Sequence, residues 1–185
     1  YHYAESYRIK GVMDAQLFIQ AYGKIVERHE ILRTVFQKHE GQWQQFVYSE
    51  PSFISQYIDL SHSNSSEKEA GNLIVELAKV PFDLSEGPLS RIYLLKLTDH
   101  EHIALIVMHH IITDKWSMRL LRDELADYYQ KLVRGELVEL KPLPLQFGDY
   151  AFLKSKQPFP EAAINFWKEE LHGAPSLLNI PTDRP

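Results

Sequence analysis

Two apolar runs in the middle of the chain constrain its fold most: "LSRIYLLKL" at 89–97 and "HIALIVMHH" at 102–110, separated by the turn-forming stretch "TDHE". Long apolar runs bounded by turn residues read as strands. These two therefore form a hairpin at the centre of a sheet. The longest unbroken apolar segment, Ile103 to Met108, is far too short to cross a bilayer. The N-terminus has no apolar core segment of the signal-peptide kind.

The flanking sequence supplies what packs on that hairpin. "HYAESYRIK" at 2–10 alternates loosely and suits a strand, punctuated by Gly11. Asp14 is placed to cap a helix running to about Glu30, with Leu17, Phe18, Ala21, Ile25 and Val26 on one face at helical spacing. "LRTVFQK" and "WQQFVYS" read as strands around a turn containing Gly41, and "YIDL" as a short strand. A helix is expected over 65–79 with Leu73, Ile74 and Leu77 inward. Another is expected over 115–134, burying Trp116, Leu120, Leu121, Leu125, Tyr128 and Leu132 and ended by Gly135. "FGDYAFLKS" and "EAAINFWKEELHG" are two further helices, the second closed by Gly173. Hairpins with interposed helices, in no repeating βαβ order, indicate a mixed, largely antiparallel sheet with packed helices, in the α/β or α+β class.

With 185 residues the chain can build one sizeable core. Its net charge of −5 and lack of any basic run argue against nucleic acid as a partner. There are no cysteines, which removes disulfides, thiolate metal sites and a cysteine nucleophile. A cytoplasmic location is the default expectation. The chain opens on Tyr1 and closes on the proline-punctuated "NIPTDRP", which suggests a piece of something larger, a trimmed complete protein being the alternative.

The candidate site is "MHHIITDKWS" at 108–117. Successive strand side chains point to opposite faces. His109 therefore lies with Ile103, Leu105 and Val107, and His110 with Ala104, Ile106 and Met108. One ring should be buried in the sheet packing and the other should emerge where the chain turns into the next helix. Rings on opposed faces chelate poorly. His100 and His102 are better spaced but sit at a hairpin tip, so no metal site is expected. Thr113 or Asp114 can cap the following helix, and Asp114 could also fix a ring or pair with a buried arginine. Histidine suits proton transfer near neutral pH. Glycine-rich phosphate loops and a G-x-S-x-G nucleophile elbow are absent. Ser117 reads as a polar residue of the helix start.

These residues carry a family resemblance. "MHHIITDKWS" resembles the HHxxxDG signature of condensation domains from nonribosomal peptide synthetases. "RHEILRTVF" at 28–36 resembles the family's RHExLRTxF block, and "FGDYA" at 147–151 its Y-x-D-F/Y-A block. The tail "FWKEELHGAPSLLNIPTDRP" resembles the end of the family's first lobe, so the likeness spans the whole chain. It implies a chloramphenicol acetyltransferase-like lobe over 1–172, with 173–185 starting the linker to a C-terminal lobe that this sequence does not contain. It implies amide bond formation between a donor acyl or peptidyl thioester and the amine of an acceptor aminoacyl thioester. Both substrates ride on 4'-phosphopantetheine arms of upstream and downstream peptidyl carrier proteins, with an adenylation domain adjacent. No cofactor is expected on this lobe itself.

By the same resemblance, His110 is the catalytic histidine and His109 a structural one. Asp114 is an architectural brace in an ion pair with an arginine, Arg33 before Arg28. A buried pair of that kind would make Asp114→Ala cost about 3–5 kcal/mol. Lys115, Trp116 and Ser117 are candidates for the wall of the substrate tunnel. Lys115 departs from the family's glycine. It could point to solvent, reach toward the acceptor, or mark a degenerate domain that recruits partners. The rival functions are an epimerization domain or a coenzyme A-dependent acyltransferase of the same fold, and a docking platform for carrier proteins or tailoring enzymes. This lobe alone is expected to be inactive.

Overall fold

The computed structural model describes residues 1–177 and Pro181. It divides into two compact units, 1–148 and 149–185. In chain order the elements are β1 (His2–Lys10), α1 (Ala15–Arg28), a 3-10 turn (Glu30–Arg33), β2 (Thr34–His39), β3 (Gln42–Val47), β4 (Ile54–Asp59), α2 (Ser66–Lys79), β5 (Ser90–Thr98), β6 (Glu101–His109), α3 (Lys115–Val133), α4 (Phe147–Ser155) and α5 (Glu161–Glu170).

The main sheet has the order β1-β6-β5-β4, and β2 and β3 form a separate two-stranded ladder. β5 and β6 pair antiparallel as the central hairpin, β1 joins β6 antiparallel, and β4 joins β5 in parallel. The sheet is therefore mixed and largely antiparallel, as the sequence predicts. β5 and β6 are buried nearly end to end because both of their faces are covered. On one face Ile92, Leu94, Ala104, Ile106 and Met108 meet Phe18, Ala21, Tyr22 and Ile25 of α1 and Met118, Leu121, Leu125 and Tyr128 of α3. On the other face Tyr93, Leu95, Ile103, Leu105 and Val107 meet Ala70, Leu73, Ile74 and Leu77 of α2. A side chain such as Leu105, fully enclosed, contributes about 1.5–3 kcal/mol by burial alone.

Local signals explain most element ends. The Asp14 carboxylate accepts from the N–H groups of Gln16 and Leu17 at 2.9 and 3.0 Å and starts α1. α1 stops at Arg28 rather than Glu30, because His29 is extended and the chain then tightens into the 3-10 turn. That turn takes Leu32 and Arg33 out of the expected strand, so β2 begins at Thr34. β4 starts three residues before the "YIDL" reading and runs alongside β5 from Ile54. Gly135 follows α3 with φ 72°, the left-handed geometry glycine adopts without penalty. Gly87, at φ 63°, is needed for a second reason: a Cβ there would stand 2.9 Å from Val35 Cγ1.

Within α3 the buried stripe is Met118, Leu121, Leu125 and Tyr128. Trp116 and Leu120, expected inward, are 67% and 51% exposed. The stripe is narrower than the apolar pattern suggested, and these two fall to its side. In the second unit, α5 follows Pro160, and its Phe166 and Trp167 rings meet edge to face at 5.3 Å. Most of the "NIPTDRP" stretch expected as linker lies outside the described residues. Among the described residues, no helix is long and apolar enough to cross a membrane.

Candidate active site

The site forms where β6 gives way to α3. β6 ends at His109, whose N–H donates to the Leu89 carbonyl at 3.0 Å. The His110 N–H donates to the Tyr1 carbonyl at 2.9 Å, so each neighbouring strand end pins one of the two histidines by its backbone. The Ile112 N–H then donates back to the His109 carbonyl at 3.1 Å, closing a turn that buries Ile112 and Thr113.

The two rings separate as strand alternation requires. His109 turns toward the α2 side, edge-on to Phe82 and to His2 at 6.2 Å each. Its Nδ1 accepts from the Ile111 N–H at 3.1 Å. Burial, together with neighbouring His2 and His110, holds its pKa below the ordinary value for histidine. Accepting that bond requires an unprotonated Nδ1, in line with the direction of the shift. His109 is nonetheless only partly buried, because it closes the strand. His110 lies just past the strand, exposed, on the side of α1 and α3. Its imidazole meets the Tyr3 ring edge to face at 5.6 Å.

Asp114 caps α3. Its Oδ1 accepts from both the N–H and the hydroxyl of Ser117, each at 2.7 Å. The backbone bond from Ser117, then its hydroxyl, push the Asp114 carboxyl below the usual carboxylate range. The expected ion pair is not formed. Arg33 donates to the Tyr48 carbonyl and stands 3.6 Å from Glu30. Arg28 is ion-paired with Glu124 and donates to the Lys141 carbonyl at 3.1 Å. The reason is local. A carboxylate at a helix N-cap is already occupied by the first turn, and both arginines are held by elements behind it.

The "RHE" block thus ties α1 to α3 rather than to Asp114. His29 Nε2 shares Glu124 with Arg28, at 2.7 Å from Oε2. The Gln146 side chain completes the corner, accepting from the Glu30 N–H at 3.1 Å and donating to the Arg28 carbonyl at 3.0 Å.

Lys115 is the first residue of α3 and is exposed. Among the described residues Glu40 is the only non-glycine with positive φ, so the backbone at 115 does not require glycine. Trp116 is exposed, with the Arg119 guanidinium 5.9 Å from its ring. Ser117 serves Asp114, a role that the Asp-Lys-Trp-Ser spacing from N-cap to third helical residue signals. A cavity of 110 Å³ opens beside these residues, lined by Thr113, Ser117, Leu120, Leu121, Ile112 and His29 among others. Among the described residues no group of three or more potential ligands could hold a metal.

Sequence reasoning missed the neighbours of His110 on β1. Tyr3, Glu5 and Tyr7 stand opposite Met108, Ile106 and Ala104 in the ladder, and so on the face toward which His110 turns. The Tyr3 hydroxyl donates to Glu5 Oε1 at 2.9 Å, and the Tyr7 hydroxyl donates to Oε2. The alternation of "HYAESYRIK" carried the pattern, but nothing in it identified which face would meet the histidine.

The chain is similar to known proteins over its whole length. The condensation domain family matches residues 1–185. A linear gramicidin synthase of Brevibacillus parabrevis is 35% identical over 100% of this chain, which spans 2% of that protein. Malpibaldin synthetase of Mortierella alpina is 34% identical over 100% of this chain, which spans 3% of it. These curated relatives are thus far longer than the chain that matches them. Among solved structures, the X-domain from teicoplanin biosynthesis is 26% identical with a TM-score of 0.83, over 100% of this chain and 41% of that one. The starter condensation domain of rhizomide synthetase shares the fold, with a TM-score of 0.79 at 21% identity, over 98% of this chain and 48% of that one. With a paired-histidine junction after the central strand, a sheet of this order and a family match over its full length, this chain belongs to the condensation domain family.

Proposed function

We propose that this chain is the N-terminal lobe, over 1–172, of a condensation domain that forms amide bonds in nonribosomal peptide synthesis. The observation that carries the reading is the division of labour between the two histidines. His109 is committed to the packing, while the exposed His110 imidazole stands free for a substrate. In the proposed reaction, the acceptor amine attacks the donor thioester carbonyl, the carbon–nitrogen bond forms, the thiol leaves, and the amine's proton is lost. An α-amine has a pKa of about 8, so a useful fraction is already neutral near pH 7. His110 need therefore only orient the amine and take its proton as the bond forms. Asp114 acts through the backbone, by fixing the start of α3 that follows the histidines.

The partners in this reading are upstream and downstream peptidyl carrier proteins, whose 4'-phosphopantetheine arms present the substrates, together with an adjacent adenylation domain and the second lobe. In this reading residues 173–185 start the linker to that lobe, and the work is done in the cytoplasm. Lys115, Trp116 and Ser117, which open the helix that follows the histidines, are the proposed residues of the tunnel wall. The likeness to an X-domain, a protein solved in complex with OxyB, supports a second reading as a docking platform for a tailoring enzyme.

The test is condensation by the complete domain with two loaded carrier proteins. His110→Ala is expected to lower the rate by at least about a hundredfold, the lower range for general acid–base catalysis, while leaving the fold intact. Peptide formation by that variant near the wild-type rate would overturn the assignment. A wild-type domain that forms no peptide but binds a tailoring enzyme would establish the docking reading.

A further inference from the structure

His110 is the exposed member of the pair, and an exposed imidazole is free to rotate unless something holds it. Among the described residues, no hydrogen bond is made to its ring nitrogens. What meets the ring is the edge-to-face contact with Tyr3 at 5.6 Å. Tyr3 is itself held: its hydroxyl donates to Glu5 Oε1 at 2.9 Å. Glu5 is held in turn by the Tyr7 hydroxyl on its other oxygen, and Tyr7 packs against the core between the sheet and the helices. The three residues alternate along β1 on one face, two residues apart, so the row runs from the core to the histidine without a break. Both Glu5 oxygens are spoken for by phenols, and among the described residues Glu5 forms no ion pair. The Glu5 carboxylate beside it also raises the Tyr3 phenol above its ordinary pKa, which keeps that hydroxyl a donor.

We infer that Tyr3 is a positioning residue for His110, held in place by Glu5 and Tyr7, and that this row aims the imidazole at the acceptor amine. The inference rests on the proposed condensation reaction. The expected signature is a loss in the chemical step and not in substrate binding, because the row acts through its contact with the histidine. A ring misplaced by about an ångström costs up to about a hundredfold in rate.

The experiment is condensation kinetics with loaded carrier proteins on the complete domain, with thermal unfolding of each variant. Tyr3→Ala is expected to lower kcat about tenfold or more with KM unchanged within about twofold. Tyr3→Phe, which keeps the ring and loses its tether to Glu5, should fall between wild type and Tyr3→Ala. Glu5→Leu, which cuts the same tether and leaves the ring, should match Tyr3→Phe and serves if Tyr3→Ala does not fold. Tyr3→Ala added to His110→Ala should cause no further loss, since there is no imidazole left to aim. A kcat within about twofold of wild type for both Tyr3→Ala and Glu5→Leu overturns the inference, as does an undiminished Tyr3→Ala effect without His110. Failure of the proposed reaction itself reads differently: His110→Ala would then retain activity.

Discussion

At the scale of single residues, Asp114 separates a cap from a brace. A buried carboxylate stripped of an arginine leaves an uncompensated charge and costs about 3–5 kcal/mol. An exposed N-cap costs about 1 kcal/mol when removed. The side chain accepts twice from Ser117 and pairs with neither Arg33 nor Arg28, so Asp114→Ala should cost about 1 kcal/mol in urea unfolding at neutral pH. The pH dependence follows from the depressed pKa. A carboxylate whose folded value is lowered contributes stability above its unfolded value, about 3.9, and loses it as pH falls through the folded value. Asp114→Asn keeps an acceptor for the Ser117 N–H. It should therefore lose less than Asp114→Ala at neutral pH and show a flatter decline as the pH falls below about 4. A loss near 4 kcal/mol for Asp114→Ala would restore the brace. At this scale the sequence carried much of the site. Alternation alone put His109 and His110 on different sides of the sheet. It could not name the partner of Asp114, because two arginines in one block are equally near in sequence and only the end of α1 decides where they point. Nor could it mark Tyr3 and Glu5, whose part depends on β1 pairing with β6.

At the scale of elements, the join between α1 and α3 carries the region under His110. α3 lies on α1 through Met118, Leu121, Leu125 and Tyr128, and Glu124 adds a polar tie at its side. The Glu124 carboxylate takes the Arg28 guanidinium on one oxygen and the His29 ring on the other, with all three side chains between 19% and 24% exposed. Glu124→Ala leaves the partly buried His29 ring without its acceptor and the Arg28 guanidinium with its bond to the Lys141 carbonyl but no counter-charge from Glu124. The cost should be about 1–3 kcal/mol, read as a lowered midpoint in thermal or urea unfolding, with Glu124→Gln losing less. An unchanged midpoint would make the tie a surface pair of negligible worth. The elements were mostly legible in advance, since long periodic runs report burial directly: β5 and β6 by their apolar length, α1 and α2 by their stripes. What escaped was local competition. The 3-10 turn at Glu30–Arg33 displaced both the last turn of α1 and the first residues of β2. Trp116 and Leu120 looked inward because an apolar residue at roughly the right spacing reads as core, whether or not an element lies above it.

At the scale of the whole molecule, the question is how much of a catalyst this chain amounts to. It covers 41% of the X-domain chain and 48% of the starter condensation domain chain on which it superposes. The histidine junction, the β1 row and the cap of α3 all fall within the unit 1–148. His110 nonetheless stands exposed, and exposure is what proximity catalysis has to remove: orienting an amine against a thioester requires walls on both sides and exclusion of water. Residues 1–185 alone should therefore fold cooperatively around the β5–β6 hairpin and yet form no peptide from two loaded carrier proteins, while the complete domain does. Circular dichroism with urea unfolding checks the first half and product detection the second. Turnover by residues 1–185 would mean that one lobe holds both substrates, and the passage beside His110 would then have to be sought between β1 and α3. A chain that failed even to unfold cooperatively would place the missing contribution in the packing of the sheet. The expected result, a folded lobe with no turnover, would support the proposed reading in which a second lobe supplies a wall for substrates and not a scaffold for this one.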